Sequence, residues 1–453
     1  MSKHHLQNLR QSFFGKSRKS RSSNRGRGHG RSLNMESLES RQMMSATPLQ
    51  NLSLSANAGE KPQSKIFEYG GTFWTVMPNK QGTWVYRLDG TNWTQTQKIS
   101  ASKSTHADVK VVGDLAYVLL YEGTKSQFAT LQYDSIDNQF EAWASQPNLV
   151  NIPLSKGVET ATIEADSTGR LWIASDAKTT IEVRYSDGDH STWSGPITIA
   201  SGIKSDDIST IIAMPNDSIG VFWSNQSTKR FGFKVHQDSD LANVWSGDEI
   251  PGSQSALNVG HGMADDHMHA AVASDGTLYV AVKTSYDKNN YPKMGLLVRR
   301  PNGVWDDFYG IADAGTRPVI VLDDADNQLI IAHTTKEGGG DIVYNTSPLD
   351  VISFSPTQLL IKGKVNNVTT SKIISGNHAV FLADGKSVMF EFDVAPPIVA
   401  PLASATVSSF SAPSSPASGP TASDLAFEDP NLVNGAITSN LGAGTGLSVG
   451  TGV

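Results

Sequence analysis

Between Gln63 and Val394, short apolar runs alternate with tight polar turns, and the arrangement returns seven times. Val109–Tyr121 reads VKVVGDLAYVLLY, Ala161–Ala174 reads ATIEADSTGRLWIA, and Ala270–Val282 reads AAVASDGTLYVAV. Arg317–Ala332 (RPVIVLDDADNQLIIA) and Ser371–Leu382 (SKIISGNHAVFL) follow the same scheme. Each unit predicts two strands joined by a hairpin, with Gly70–Gly71, Gly113–Asp114, Gly169, Asp275–Gly276, Asp326–Asn327 and Gly376–Asn377 as turn signals. A third run follows, and then an aromatic residue just past a turn: Trp93, Phe140, Trp193, Trp245, Trp305 and Phe354. These mark a fourth strand in six units. Repetition of short strands at roughly 50-residue spacing is the pattern of a β-propeller with one blade per unit.

The seventh unit stops after its third run, Ser387–Val394. A propeller must close its ring or leave an open sheet edge. Leu49–Ser55 (LQNLSLS) alternates Leu with polar residues at period two. It is expected to supply the missing strand and lock a ring of seven blades. Six blades, with the first and last units sharing one, is the alternative.

Composition changes this picture mainly at the two ends. The chain has 453 residues, 38% of them hydrophobic, with 40 Gly and 9 Trp, which suits a turn-rich all-β domain. Net charge is -7. Residues 1–46 hold ten Lys and Arg against Glu36 and Glu39, a charge of +8, so the remainder carries -7 - 8 = -15. An acidic body is a poor partner for a phosphate backbone, so no nucleic acid is expected on the propeller. There is no Cys, which removes disulfides, thiol catalysis and thiolate metal sites. No run reaches the length of a membrane-spanning helix. The organisation expected is a disordered basic arm over 1–46, a propeller over 47–394 that is a monomer, and a disordered Pro/Ala/Ser/Gly-rich tail over 395–453.

The arm lacks the apolar core of an ordinary secretory signal. Its last part, LNMESLESRQMMSA, resembles the export-associated motif of many planctomycete exported proteins, in which an Arg-rich arm precedes a pattern close to L-E-x-L-E-x-R-x-L-L-S-A. Glu36, Leu38, Glu39, Arg41, Ser45 and Ala46 match, and Met43–Met44 stands for the usual Leu pair. The resemblance implies an extracellular or cell-surface protein. A basic tail that binds nucleic acid is the other reading of the same residues. RYSDGDHSTWSGP, with Ser186, Thr192 and Trp193, resembles the Asp-box of sialidases and related BNR-repeat propellers, although Gly188 and His190 stand where Asp and Gly are expected. That family binds a substrate carboxylate through three arginines, and no such trio can be placed here.

Candidate chemistry comes from one blade position. Counting back from the first hairpin turn aligns His106, Glu159, Asp207, His267 and Thr316, preceded by Asp206 in one blade and Asp265–Asp266 in the next, and followed by Arg317. The first strand of each blade lines the central channel, so this alignment predicts a ring at one mouth, with Lys283 nearby. Such a ring could hold a sugar or another extracellular ligand. It could also hold a divalent cation such as Ca through Asp207, Asp266, His267 and His269, or do acid–base work on a glycosidic bond. The alternative is that each Asp caps a loop. No other cofactor is implied, and no catalytic residue can be named. Three functions follow: a non-catalytic carbohydrate binder, a sialidase-like glycoside hydrolase, and a scaffold for a protein partner.

Overall fold

The structure, a computed structural model, describes residues 46–392 apart from 60, 253–257, 289 and 375. The basic arm before Ala46 and the tail after Phe392 lie outside the described residues. Seven antiparallel sheets form seven blades, and the six-bladed alternative is excluded. Their inner strands are Ile66–Tyr69, His106–Val112, Ala161–Ala165, Ser209–Met214, Met268–Val272, Thr316–Asp323 and Val368–Thr369. Consecutive inner strands neighbour one another, and Ile66 bridges Ser371 so that blade seven meets blade one. Seven apolar clusters fill the structure, one at each interface between adjacent blades. The second strands, such as Thr72–Asn79 and Leu171–Ala177, therefore bury both faces, which is why their apolar runs are continuous rather than alternating.

The chain start does close the ring, but not through the residues expected. Ala46–Pro48 pairs with Lys386–Glu391, the third strand of blade seven, with Ala46 opposite Phe390 and Pro48 opposite Val388. Leu49–Ser55 is not a ladder strand. Leu49 N still donates to Ser387 O at 2.9 Å and Leu52 N to Gly385 O at 2.7 Å, but Gln50 N donates to Thr91 O and Ser55 N to Pro78 O, both in blade one. The segment staples the last blade to the first. Its leucines serve that purpose, packing with Phe73 and Trp93 across the interface. The period-two pattern is therefore a sign of packing rather than of sheet pairing.

Two blades depart from four strands. In blade two both Gln139–Ala142 and Val150–Asn151 pair with Gln127–Asp134. Blade four has three strands, and Glu249 makes only an isolated bridge to Phe233. The aromatic past the turn is buried in the first two blades, at Trp93 and Phe140, and half-buried at Trp193, Trp245, Trp305 and Phe354. In the Asp-box-like turn, His190 adopts a φ of 56° and packs its ring edge-on against Tyr117 of blade two, with centroids 5.4 Å apart. The turn thus fastens two blades together.

The inner strands present backbone amides to the channel that no further strand can satisfy. In four blades a polar side chain of the preceding blade does so instead. Ile163 N donates to Asp108 Oδ2 at 2.7 Å, Ile211 N to Thr162 Oγ1 at 3.0 Å, Ile320 N to His269 Nδ1 at 3.3 Å, and Lys65 N to Thr369 Oγ1 at 3.2 Å. Between blades one and two the acceptor is a backbone carbonyl, with Val109 N donating to Ser64 O at 3.0 Å. Asp108, Thr162, His269 and Thr369 therefore occupy one equivalent position, and this is the true rotational register of the ring.

Candidate functional site: two mouths of one channel

That register corrects the alignment read from the turns. His106, His267 and Arg317 are equivalent, whereas Glu159, Asp207, Asp266 and Thr316 lie one residue earlier. The slip arises because first hairpin turns differ in length, from Val112–Leu115 in blade two to Ala165–Leu171 in blade three. A one-residue slip on a strand reverses the side chain's direction.

At the mouth where the inner strands start, most of the expected residues do meet, around a group the sequence did not single out. The chain leading into blade one runs buried through Ala58 and Gln63–Lys65. A Cβ at Gly59 would lie 2.5 Å from Asn367 O and 2.6 Å from Val368 O, so only Gly passes there. Lys61 follows with a φ of 50°, and its side chain is 6% exposed. Its ammonium binds Glu159 Oε1 of blade three and Asp266 Oδ2 of blade five. From there the network continues outward. His267 Nδ1 lies 2.7 Å from Asp266 Oδ1 and 2.9 Å from Asp265 Oδ1. Asp265 Oδ2 accepts from Ser285 Oγ at 2.9 Å and faces Lys283 Nζ at 3.3 Å, and Lys283 Nζ meets Glu337 Oε1 at 2.6 Å. Arg317 stands at the edge, donating to Thr316 Oγ1 at 3.3 Å.

Electrostatics fix the protonation states here. Burial alone would lower the Lys61 ammonium, but Asp266 and Glu159 outweigh it and hold it above its ordinary value. Burial would raise Asp266, but His267 and Lys61 overcome it and hold the carboxyl well below the usual range. His267 is raised, because its two carboxylate neighbours exceed the burial that would lower it. Asp265, Asp266 and His267 place ligand atoms within 4.8 Å of one another. Lys61 and the His267 ring, both shifted toward their protonated forms, serve this cluster.

The remaining expected residues separate from that network. Asp207 is buried in its own loop and accepts from Lys204 N at 2.7 Å, Ser224 Oγ at 2.8 Å and Gln226 N at 3.1 Å, which is the loop-cap role. Asp206 beside it is exposed. His106 is half-buried opposite Tyr121 in the ladder. His269 uses both ring nitrogens inside the channel: Nδ1 accepts from Ile320 N, so Nε2 carries the proton and donates to Ser64 Oγ at 3.0 Å. Burial pushes it down to about 3, so the ring is neutral. Asp207 and His269 therefore do not join Asp266 and His267 as one ligand set.

Asp176, which the repeat pattern does not single out, accepts from the amides of Glu159 and Thr160 and is pushed up to about 7 by burial. Its signal in the sequence is an acid at the end of an otherwise apolar run, LWIASDA.

The other mouth, where the inner strands finish, holds a cavity of about 310 Å³. Lys110, Glu164, Thr210, Met214, Ser274 and Ile373 contribute to its wall. A second hollow of about 410 Å³ shares Val272–Ser274 and Lys372–Ile373 with it. Lys110 is ion-paired to Glu164, whose carboxyl is lowered because Lys110 and Lys372 outweigh the effect of burial. Lys372 reaches across the channel from blade seven to Asp108 Oδ2 at 2.9 Å and Ile163 O at 2.6 Å. Asp108 also accepts from Ser64 N at 2.7 Å. Every charged group of this wall is thus matched, and hydroxyls and apolar surface remain to face the cavity.

No family model matches the chain, and no curated protein matches it. Solved structures with similar backbones include an ulvan polysaccharide lyase bound to a saccharide, at TM-score 0.49 and 10% identity, over 77% of this chain and 96% of that one. A Dyadobacter fermentans protein of unknown function gives TM-score 0.46 at 10% identity, over 77% and 99%. A Penicillium chrysogenum α-L-arabinanase complexed with arabinobiose gives TM-score 0.42 at 10% identity, over 68% and 100%. At this level of similarity the seven-bladed assignment rests on the strands and register described above.

Proposed function

We propose that the protein is an exported propeller that binds a carbohydrate, or a comparably hydroxylated extracellular ligand, in the channel cavity without turning it over. The observation that carries this reading is the balanced wall of that cavity. Lys110 faces Glu164 and Lys372 faces Asp108, so an ionic ligand would have to break a buried pair at several kcal/mol. A neutral polyol needs only hydrogen bonds and contact, which Thr210, Ser274, Met214 and Ile373 supply.

The part of this reading that excludes turnover is supported by the arrangement of carboxyls at the other mouth. Glycosidic cleavage uses one carboxyl that holds a proton beside one that does not. Asp266 is held ionised there by His267 and Lys61, and Asp176, the neighbouring carboxyl pushed up to about 7, is buried and turned onto the amides of Glu159 and Thr160 rather than toward a ligand. A divalent cation such as Ca would compete with Lys61 for Asp266 and with Lys283 for Asp265.

Export rests on the Arg-rich arm and ESLESRQMMSA, outside the described residues. Fractionation of cells that make the protein should find it outside the cytoplasm. No helix among the described residues is long and apolar enough to cross a membrane. Glycan-array screening of the full chain, followed by calorimetry, tests the function. Saturable binding of a neutral glycan with no cleavage product supports the reading. Cleavage of the bound glycan, or binding confined to charged ligands, overturns it.

A further inference from the structure

The turns of this propeller are sorted by chemistry between its two ends. Turns joining first to second strands and third to fourth strands lie where the inner strands finish. Among the described residues, seven of the ten exposed large apolar side chains are at that end: Val112, Ile136, Leu241, Val244, Val304, Val351 and Ile373. Ile136 is 91% exposed, Leu241 76%, Val351 67% and Val304 58%, and these four lie just after the third strand of blades two, four, six and five. Each sits among exposed acids of the same face, including Asp114, Asp137, Asp217, Asp240, Asp275 and Asp324. The Arg residues here are spent in pairs: Arg87 with Asp89, Arg170 with Asp187, Arg299 with Glu249, and Arg300 with Asp306. At the opposite end every blade carries a Lys in or beside its second-to-third connection, from Lys80 in blade one to Lys386 in blade seven.

Apolar tips set among acids call for a partner that is both basic and apolar. Such a segment is covalently attached to this face. Ala46 pairs with Phe390, near the end of the third strand of blade seven, so the chain arrives from the acidic end of the ring. The residues before it carry ten Lys and Arg against two Glu, with apolar residues Leu6, Leu9 and the pair Phe13–Phe14 between them. We propose that this acidic, aliphatic-studded face is the docking surface for the chain's own basic segment, residues 1–45. Opposite charges favour the encounter, and tethering makes it intramolecular, which raises the effective concentration to the millimolar range. A lipid surface with anionic headgroups is disfavoured by the same Asp residues, and a second copy of the face would repel this one.

Zero-length carbodiimide coupling of the intact chain, read by peptide mapping, tests this. Lys3, Lys16 and Lys19 should couple within one molecule to Asp137, Asp240, Asp324 or neighbouring acids of this face. The yield should fall several-fold in about 0.5 M salt, where the Debye length shrinks to roughly 4 Å. Replacing Ile136, Leu241, Val304 and Val351 together by Ser should lower the yield at least twofold with unchanged thermal stability, because the four side chains are exposed. Coupling only to acids of the opposite end (Asp206, Asp287, Glu337 or Asp384), coupling only between molecules, or no coupling of these lysines would overturn the proposal. An unchanged yield in the fourfold variant would overturn the role of the aliphatic tips.

Discussion

The two mouths of the channel are built from the same strands and solve opposite problems. Where the inner strands start, the chain threads Lys61 into a set of carboxylates and answers their charge from within. Where they finish, charges are paired along the wall and a cavity of about 310 Å³ stays open. The difference teaches that a cluster of acids and histidines is not by itself a binding site. What matters is whether the cluster's charges are already answered from within the chain and whether space remains beside them.

The comparison can be broken first at the channel's middle. Asp108 is fully buried and accepts from Ser64 N, Ile163 N and Lys372 Nζ. Asp108→Ala strands all three, and the loss should exceed that of any other substitution below, at about 4 kcal/mol in chemical denaturation. An unchanged midpoint would mean that the inner-edge capping adds nothing to stability.

Lys61→Met comes next. It leaves Glu159 and Asp266 facing each other without their shared cation, and the cost should be about 3 kcal/mol, since Glu159 is a third exposed and partly screened by water. Adding Asp266→Asn should restore a large part of it. A double variant no better than the single one would remove the charge-neutralising role of Lys61.

Two histidines two residues apart sharpen the contrast through pH. His267 is raised, so its contribution is complete below the ordinary imidazole value near 6.5 and is lost as pH rises through its raised value. His269 is pushed down to about 3, so its contribution is present above about 6.5 and is lost as pH falls toward 3. The His267→Gln variant should flatten the alkaline side of a stability–pH curve and His269→Gln the acid side, each by a slope of up to about 1.4 kcal/mol per pH unit. Equal effects of both variants on both sides would show that the two environments do not differ as described.

Much of this architecture was legible in the sequence because propeller blades repeat local features. Apolar runs, glycine turns and an aromatic past the third strand each depend on neighbouring residues. The site was legible only in part. Asp265, Asp266, His267, Glu159 and Lys283 stood out as a cluster because blade equivalence is a real symmetry. Lys61 did not, because it belongs to the lead-in segment, outside any repeat. The alignment slipped by one because turn lengths vary, and only the inner-edge hydrogen bonds restore the register. Asp108, Lys110 and Glu164 did carry a signal, namely charged residues in otherwise apolar inner strands, but Lys110 pairs with Glu164 of the next blade and Asp108 with Lys372 of a blade distant in sequence.

The central claim is that the open mouth, and not the filled one, receives a neutral ligand. Calorimetry of the full chain with the strongest glycan from an array tests it most directly, comparing Thr210→Val and Ser274→Ala at the cavity with Lys283→Met at the filled mouth. Each cavity variant should weaken binding about fivefold, the worth of one hydrogen bond near 1 kcal/mol, while Lys283→Met leaves affinity unchanged. The reverse pattern, with affinity lost in Lys283→Met and kept in both cavity variants, would contradict the account.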